Sequence, residues 1–189
     1  MIIDLSVLGS EAFSPAVAEL VGQEIPDYDP LDPPFDFVFS TPQFREVAGH
    51  PFVTFGTTTD DELLGVRVAD GKVEVIRQGA CLTTYVNASP AVFLEFVARV
   101  GEYKKLFDNL NPDPAPWTLD DAETVALLQR FADGKVRPRT DRQLQQRNEA
   151  TLRRELRTLR SNLRGRDPKA LRPTNWWGRI LFEYADAIP

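Results

Sequence analysis

The chain is poor in the residue types on which most catalytic and metal sites depend. It contains one cysteine, Cys81, and one histidine, His50, among 189 residues. A single cysteine excludes an internal disulfide bond, and one cysteine with one histidine cannot build a structural zinc site. The sequence also lacks a glycine-rich phosphate loop and a G-x-S-x-G nucleophile motif. We therefore expect no enzymatic activity, no metal and no cofactor.

Long hydrophobic runs are absent as well. No apolar run approaches the roughly 20 residues that a membrane-spanning helix needs. The N-terminal residues carry Asp4 and lack the basic region of a signal peptide. We expect a cytoplasmic protein without a membrane partner. In that compartment the sequon at Asn87–Ser89 is interpreted as incidental.

The two parts of the chain have opposite charge. Residues 1–134 carry 22 acidic and 8 basic side chains, whereas residues 135–189 carry 6 acidic and 14 basic ones. The net charge of the whole chain is −6. Such an asymmetry indicates either separate partners for the two parts or two parts that lie against each other.

Hydrophobic periodicity predicts an α+β fold. Alternating apolar residues predict strands near residues 35–39, 51–55 and 82–86 and a hairpin over residues 63–76. Asp70-Gly71 predicts a type I′ turn in that hairpin, because both residue types tolerate positive φ angles. We expect a central, mainly antiparallel sheet of four to six strands flanked by helices.

The joint between the last strand and the following helix is the clearest local signal. Ser89 is the predicted N-cap and Pro90 the predicted first residue of a helix with a wide aromatic stripe. A second helix is predicted from Asp141 to near Gly165. Its leucines repeat at coiled-coil spacing, at Leu152, Leu156, Leu159 and Leu163.

A proline-rich break at residues 111–117 predicts the domain organisation. We place an α+β domain over residues 1–112 and a helical C-terminal extension, packed on that domain, over residues 113–189.

Two acidic groups are the candidate partner-binding residues. The first lies on a proline-stiffened loop and consists of Asp27, Tyr28, Asp29, Asp32 and Asp36. The second is the run Asp60, Asp61 and Glu62. A stiff loop presents its carboxylates at a low ordering cost, which suits a cationic partner. The alternatives are plain solvation of both loops and, for the second group, a hard cation.

A basic stripe lies beside the leucines of the predicted long helix, at Arg153, Arg157, Arg160 and Arg164. Such stripes bind nucleic acid phosphates. The same arginines could instead cover the leucine seam with their aliphatic stems. The overall pI of about 4.9 favours this second interpretation, and we expect no nucleic acid partner.

Residues 51–101 resemble the SUKH superfamily, in particular its actinobacterial immunity-type members. A Phe-Gly strand end precedes a hairpin and then a V-N-x-S-x-x-x-F-x-x-F joint. The matching residues are Phe55, Gly56, Leu64, Val66, Gly71, Val73, Val86, Asn87, Ser89, Phe93 and Phe96. The resemblance is expected to span residues 10–107 and to leave the helical extension outside.

This resemblance implies a bacterial immunity protein that binds and neutralises a cognate toxin, which is often a nuclease. An acidic surface would suit a basic nuclease, because it could occupy the site that holds nucleic acid phosphates. Asn87 would bond the backbone at the strand end, and neither Asn87 nor Ser89 would be catalytic. The alternatives are a scaffold or regulatory protein, including a weak homo-oligomer, that associates through its helical tail, and a nucleic-acid-binding protein that uses the basic helix.

Overall fold

The computed structural model describes residues 15–20, 37–77, 82–111, 125, 129 and 142–188. These residues form an antiparallel sheet with helices packed against it, which confirms the predicted α+β class. The sheet has five strands, within the predicted range of four to six.

The sheet is a meander, in which each strand pairs with the next strand of the chain. Its strands are β1 (Phe37–Val47), β2 (His50–Thr58), β3 (Leu63–Arg67), β4 (Val73–Arg77) and β5 (Leu82–Asn87). The described helices are α1 (Pro15–Ala18), α2 (Pro90–Leu110), α3 (Arg142–Arg166) and α4 (Trp176–Asp186).

The predicted hairpin over residues 63–76 is confirmed, but its predicted turn type is wrong. A type I′ turn needs positive φ at both central residues, and only Gly71 (φ 73°) meets that condition. The Asp70 carboxylate instead accepts hydrogen bonds from the Lys72 backbone (3.3 Å) and from Nε of Arg67 (2.9 Å). This aspartate therefore organises a longer loop over residues 68–72 through its side chain.

A tight turn of the expected geometry occurs elsewhere, between β1 and β2. Ala48 and Gly49 both have positive φ, 51° and 76°, and Val47 pairs directly with His50. Alanine rarely adopts this conformation. The sequence therefore did not predict this turn. Without the turn, the continuation of β1 from residue 39 to residue 47 was not predicted either.

Helix α2 begins as predicted. The Ser89 hydroxyl accepts a hydrogen bond from the backbone N–H of Val92 (3.4 Å), and Pro90 occupies the first helical position. The predicted aromatic stripe faces the sheet, with Phe93, Phe96 and Val97 all buried. Ser89 is therefore a cap, as the sequence predicted.

Helices α3 and α4 share one hydrophobic core with the sheet and α2. The predicted leucine stripe of α3 is buried in that core, at Leu152, Leu156, Leu159 and Leu163. Trp177 of α4 contacts the rings of Phe93 and Phe96, with centroids 6.2 and 5.6 Å away. The predicted boundary near residue 112 falls outside the described residues and stays a prediction.

The segment before α4 approaches the helix so closely that only glycine fits at residue 178. A Cβ atom at Gly178 would lie 2.0 Å from the carbonyl oxygen of Arg172. The start of α4 thus packs directly on the backbone of residues 171 and 172.

We predict that Leu163→Ala lowers the free energy of unfolding by about 2–5 kcal/mol, because Leu163 is fully buried in the shared core. Leu82→Ala is the matched control. Its side chain is 60% exposed, so the expected loss is within about 0.5 kcal/mol. Urea denaturation measures both values. Equal, small effects would contradict the assignment of α3 to the core.

Candidate functional site

Three of the eight predicted partner-binding residues lie in the described part of the chain. They occupy the turn between β2 and β3, where Asp60 and Asp61 are exposed and Glu62 is half-buried. The other five fall outside the described residues: Asp27, Tyr28, Asp29, Asp32 and Asp36.

Thr58 holds this acidic turn in one conformation. Its backbone N–H donates to the Glu62 carbonyl oxygen (2.8 Å), and its hydroxyl accepts from the Glu62 N–H (3.1 Å). The N–H of Asp61 donates to the Thr58 carbonyl oxygen (3.1 Å). Asp61 takes a left-handed conformation (φ 58°), which aspartate tolerates better than most residues. The turn thus presents Asp60 and Asp61 to solvent at a small ordering cost.

A cleft of about 180 Å³ lies between this turn and α4. We call it the acidic cleft, because three carboxylates line it, from Asp60, Glu62 and Glu183. Glu183 comes from the helical extension, which sequence reasoning had not placed near the acidic turn. No spacing in the sequence indicated this neighbour, because the two segments meet only through the tertiary fold.

The charges of the acidic cleft are partly compensated. Nε of Arg77 lies 2.6 Å from Oε1 of Glu62, and Arg179 lies over the Trp176 ring at 5.5 Å from its centroid. Asp60 and Glu183 form no ion pair with any residue that the structure describes. These two carboxylates are therefore available to a cationic group from outside.

Asn87 fixes the extension that supplies Glu183. The side chain of Asn87 is completely buried, and its Oδ1 accepts a hydrogen bond from the Trp177 indole N–H (2.7 Å). Its amide nitrogen donates to Oδ2 of Asp167 (3.4 Å). The expectation that Asn87 bonds the backbone is wrong, because its two polar atoms bond side chains of the extension. Its burial also agrees with the interpretation that the sequon is incidental.

Asp167 is the acceptor at the centre of this arrangement and is itself buried. Its Oδ2 accepts from the Tyr85 hydroxyl (2.7 Å) and from the Ala88 N–H (2.9 Å), in addition to Asn87. Its Oδ1 accepts from the Ala170 N–H (3.2 Å). A buried carboxylate needs such donors to offset its desolvation. Asp167 thereby joins the end of β5 to the segment between α3 and α4.

Two arginines at the end of α3 are engaged within the fold. Arg160 donates to the Leu181 carbonyl oxygen of α4 (2.8 Å), and Arg166 pairs with Glu95 of α2 at 3.1 Å. Arg160 belongs to the predicted basic stripe, which is therefore used in part for packing, whereas Arg166 lies outside that stripe. The other three arginines of the stripe, Arg153, Arg157 and Arg164, are exposed.

The sequence contains two further candidates for catalytic or metal-binding chemistry, a histidine and a cysteine. His50 begins β2 and is exposed, and Cys81 falls outside the described residues. Within the described ranges no group of three or more histidine, cysteine or carboxylate side chains is arranged to hold a metal ion. None of the described helices is both long and apolar enough to cross a membrane.

The family model of the SUKH-4 immunity proteins matches residues 15–184. The chain therefore belongs to the SUKH-4 immunity protein family. The match extends into α4, so the expectation that the resemblance ends near residue 107 is wrong. In the fold, the extension bonds the motif directly, through the hydrogen bond from Trp177 to Asn87. No curated protein and no solved structure gives a significant match to the chain.

We predict an energetic coupling between Asn87 and Trp177. Trp177→Phe keeps an aromatic ring but leaves the buried Oδ1 of Asn87 without its donor, at an expected cost of about 1–3 kcal/mol. In a double-mutant cycle with Asn87→Ala, we expect a coupling energy of about 0.5–3 kcal/mol. Trp176→Phe is the control, since its ring makes no bond to Asn87, and its coupling should be smaller. Equal couplings for the two tryptophans would contradict the assignment.

We also predict that stability falls at high pH. Burial raises the pKa of Tyr103 to about 12, whereas an unfolded tyrosine titrates near pH 10. Burial, reinforced by the bond to the Asp167 carboxylate, also raises the pKa of Tyr85. Between about pH 10 and 12 the unfolded chain loses these protons while the folded chain keeps them, so the free energy of unfolding decreases as pH rises.

Urea denaturation of the wild type and of Tyr103→Phe over that range measures this effect. The phenylalanine variant should show a shallower decline, because it has one phenol fewer to deprotonate. The difference between the two profiles removes the contribution of lysine titration. Parallel profiles would contradict the prediction.

Proposed function

We propose that this chain neutralises a cognate bacterial protein toxin by binding it through an acidic surface. Membership of the SUKH-4 immunity protein family carries the proposal. The acidic cleft supports it, because Asp60 on the β2–β3 turn and Glu183 on α4 present carboxylates that form no ion pair with any described residue. In this function the chain acts in the cytoplasm of the producing cell and performs no catalysis.

A toxin with a basic surface, such as a nuclease, fits this site best. A nuclease collects positive charge where it holds nucleic acid phosphates. Carboxylates at the rim of an interface increase the rate of association with such a surface. The excess of acidic over basic residues in residues 1–134 also increases this rate, through long-range electrostatic attraction. In this proposal Asp29 and Asp32 also contact the toxin.

Association through the helical tail is the weaker alternative. The leucines that suggested it face the inside of the molecule, where Leu152 and Leu163 are at most 2% exposed. Removal of residues 141–189 would expose the apolar face of α2 and destabilise the fold. Truncation is therefore not a neutral test of self-association, whereas the sedimentation of the full chain is.

Co-expression with a candidate toxin from the same genomic neighbourhood tests the proposal. Co-expression should restore growth of cells that produce the toxin and yield a complex that survives co-purification. An absence of both rescue and complex would overturn the proposed function.

Charge reversal locates the surface. We predict that the double variant Asp60→Lys with Glu183→Lys slows association with the toxin about tenfold or more at low salt, and less at high salt. Asp29→Lys with Asp32→Lys tests the loop in the same way. Glu102→Lys on α2 is the control, because Glu102 is exposed but lies outside the acidic cleft. Stopped-flow or biosensor association rates measure the effect, and unchanged rates in both double variants would place the interface elsewhere.

A further inference from the structure

A second and larger cavity, of about 500 Å³, lies between α3 and α4. Leu171, Leu181 and Gly178 give it an apolar lining. Phe182 stands at its edge with 65% of its side chain exposed, although it is among the largest apolar residues of the chain. On α4 Phe182 lies between the buried Leu181 and the exposed Glu183, so its ring forms an apolar patch at the edge of the cavity.

Three guanidinium groups surround this apolar floor, from Arg160, Arg164 and Arg179, and we call the cavity the arginine groove. Among the described residues of its lining, Glu183 is the one carboxylate and none is a lysine. These residues make the groove locally positive on a chain whose net charge is −6. Arginine and aromatic residues are the types that most often dominate protein interfaces.

Arg160 is positioned in advance for a ligand. Its hydrogen bond to the Leu181 carbonyl oxygen (2.8 Å) holds the guanidinium between the two helices. A guanidinium has five N–H donors, so further donors can reach an acceptor in the groove. A group that is ordered before binding loses little entropy when the partner arrives.

We propose that the arginine groove binds an acidic segment of a protein partner. A large apolar side chain of that segment packs on Phe182 and Leu171, while its carboxylates pair with Arg164 and the preordered Arg160. The apolar floor matches the apolar side chain of the segment, and the arginines at the mouth match its carboxylates. This inference goes beyond the proposed function, because the acidic cleft selects cations and the arginine groove selects anions.

A nucleic acid fits the groove less well. Its phosphates would gain nothing from the apolar floor, which instead accepts a large apolar side chain of a peptide. Binding of a single-stranded nucleic acid is therefore an outcome that would overturn the proposal.

Fluorescence anisotropy of a labelled peptide that repeats Glu-Leu-Asp-Phe provides the test. The same peptide with glutamine and asparagine in place of the acids is the ligand control, and a labelled poly(U) oligonucleotide is the competing ligand class. We expect the full-length chain to bind the acidic peptide and to bind the amide peptide with at least about tenfold lower affinity. At the same salt concentration we expect no binding of poly(U).

Two variants of the protein assign the binding to the groove. Arg164→Glu should weaken peptide binding about tenfold or more, and Phe182→Ser should weaken it severalfold, since both side chains line the groove and are exposed. Arg157→Glu is the matched control on the same helix, outside the groove, and should bind like the wild type. Circular dichroism confirms that each variant is folded.

Three results would overturn the proposal. They are no binding of the acidic peptide, equal binding by Arg164→Glu and Arg157→Glu, and tighter binding of poly(U) than of the peptide. None of them depends on whether the chain neutralises a toxin, so the proposed function stands or falls separately.

Discussion

The hydrogen bond between the Trp177 indole and the buried amide of Asn87 joins α4 to the end of β5. It is accompanied by the Asp167 carboxylate, which accepts donors from β5 and from the segment before α4. Because these groups are buried, separating the extension from the sheet would leave several polar atoms without partners. The position of α4, and therefore of every functional feature on it, depends on this contact.

The local structure could be read from the sequence where a single segment determines it. Ser89 and Pro90 defined the start of α2, and the leucine repeat gave the buried side of α3 correctly. The prediction failed where a side chain found a partner far along the chain. Asn87 looked like a residue of a local corner, but its partners lie 80 and 90 residues away. The turn type failed for a local reason, because the Asp70 side chain bonds Arg67 and Lys72 within its own loop.

The same distinction applies to the candidate site. Composition indicated an acidic surface and named Asp60 and Glu62, whereas Glu183 could not be found because α4 reaches the β2–β3 turn only in the folded chain. Helix α4 therefore separates the acidic cleft from the arginine groove. Its residues Arg179 and Glu183 line both cavities, so opposite charges lie side by side on this helix. A partner that met both sides would have to match two charges in one orientation, and such patterns give an interface specificity.

We infer that the helical extension forms the partner-binding surface together with the β2–β3 turn. Amide hydrogen exchange, measured on the free chain and on its complex with the toxin, tests it most directly. Our account predicts that toxin binding slows exchange in the β2–β3 turn around Asp60 and in α4 together. Protection of the turn without α4, or of neither segment, would contradict it.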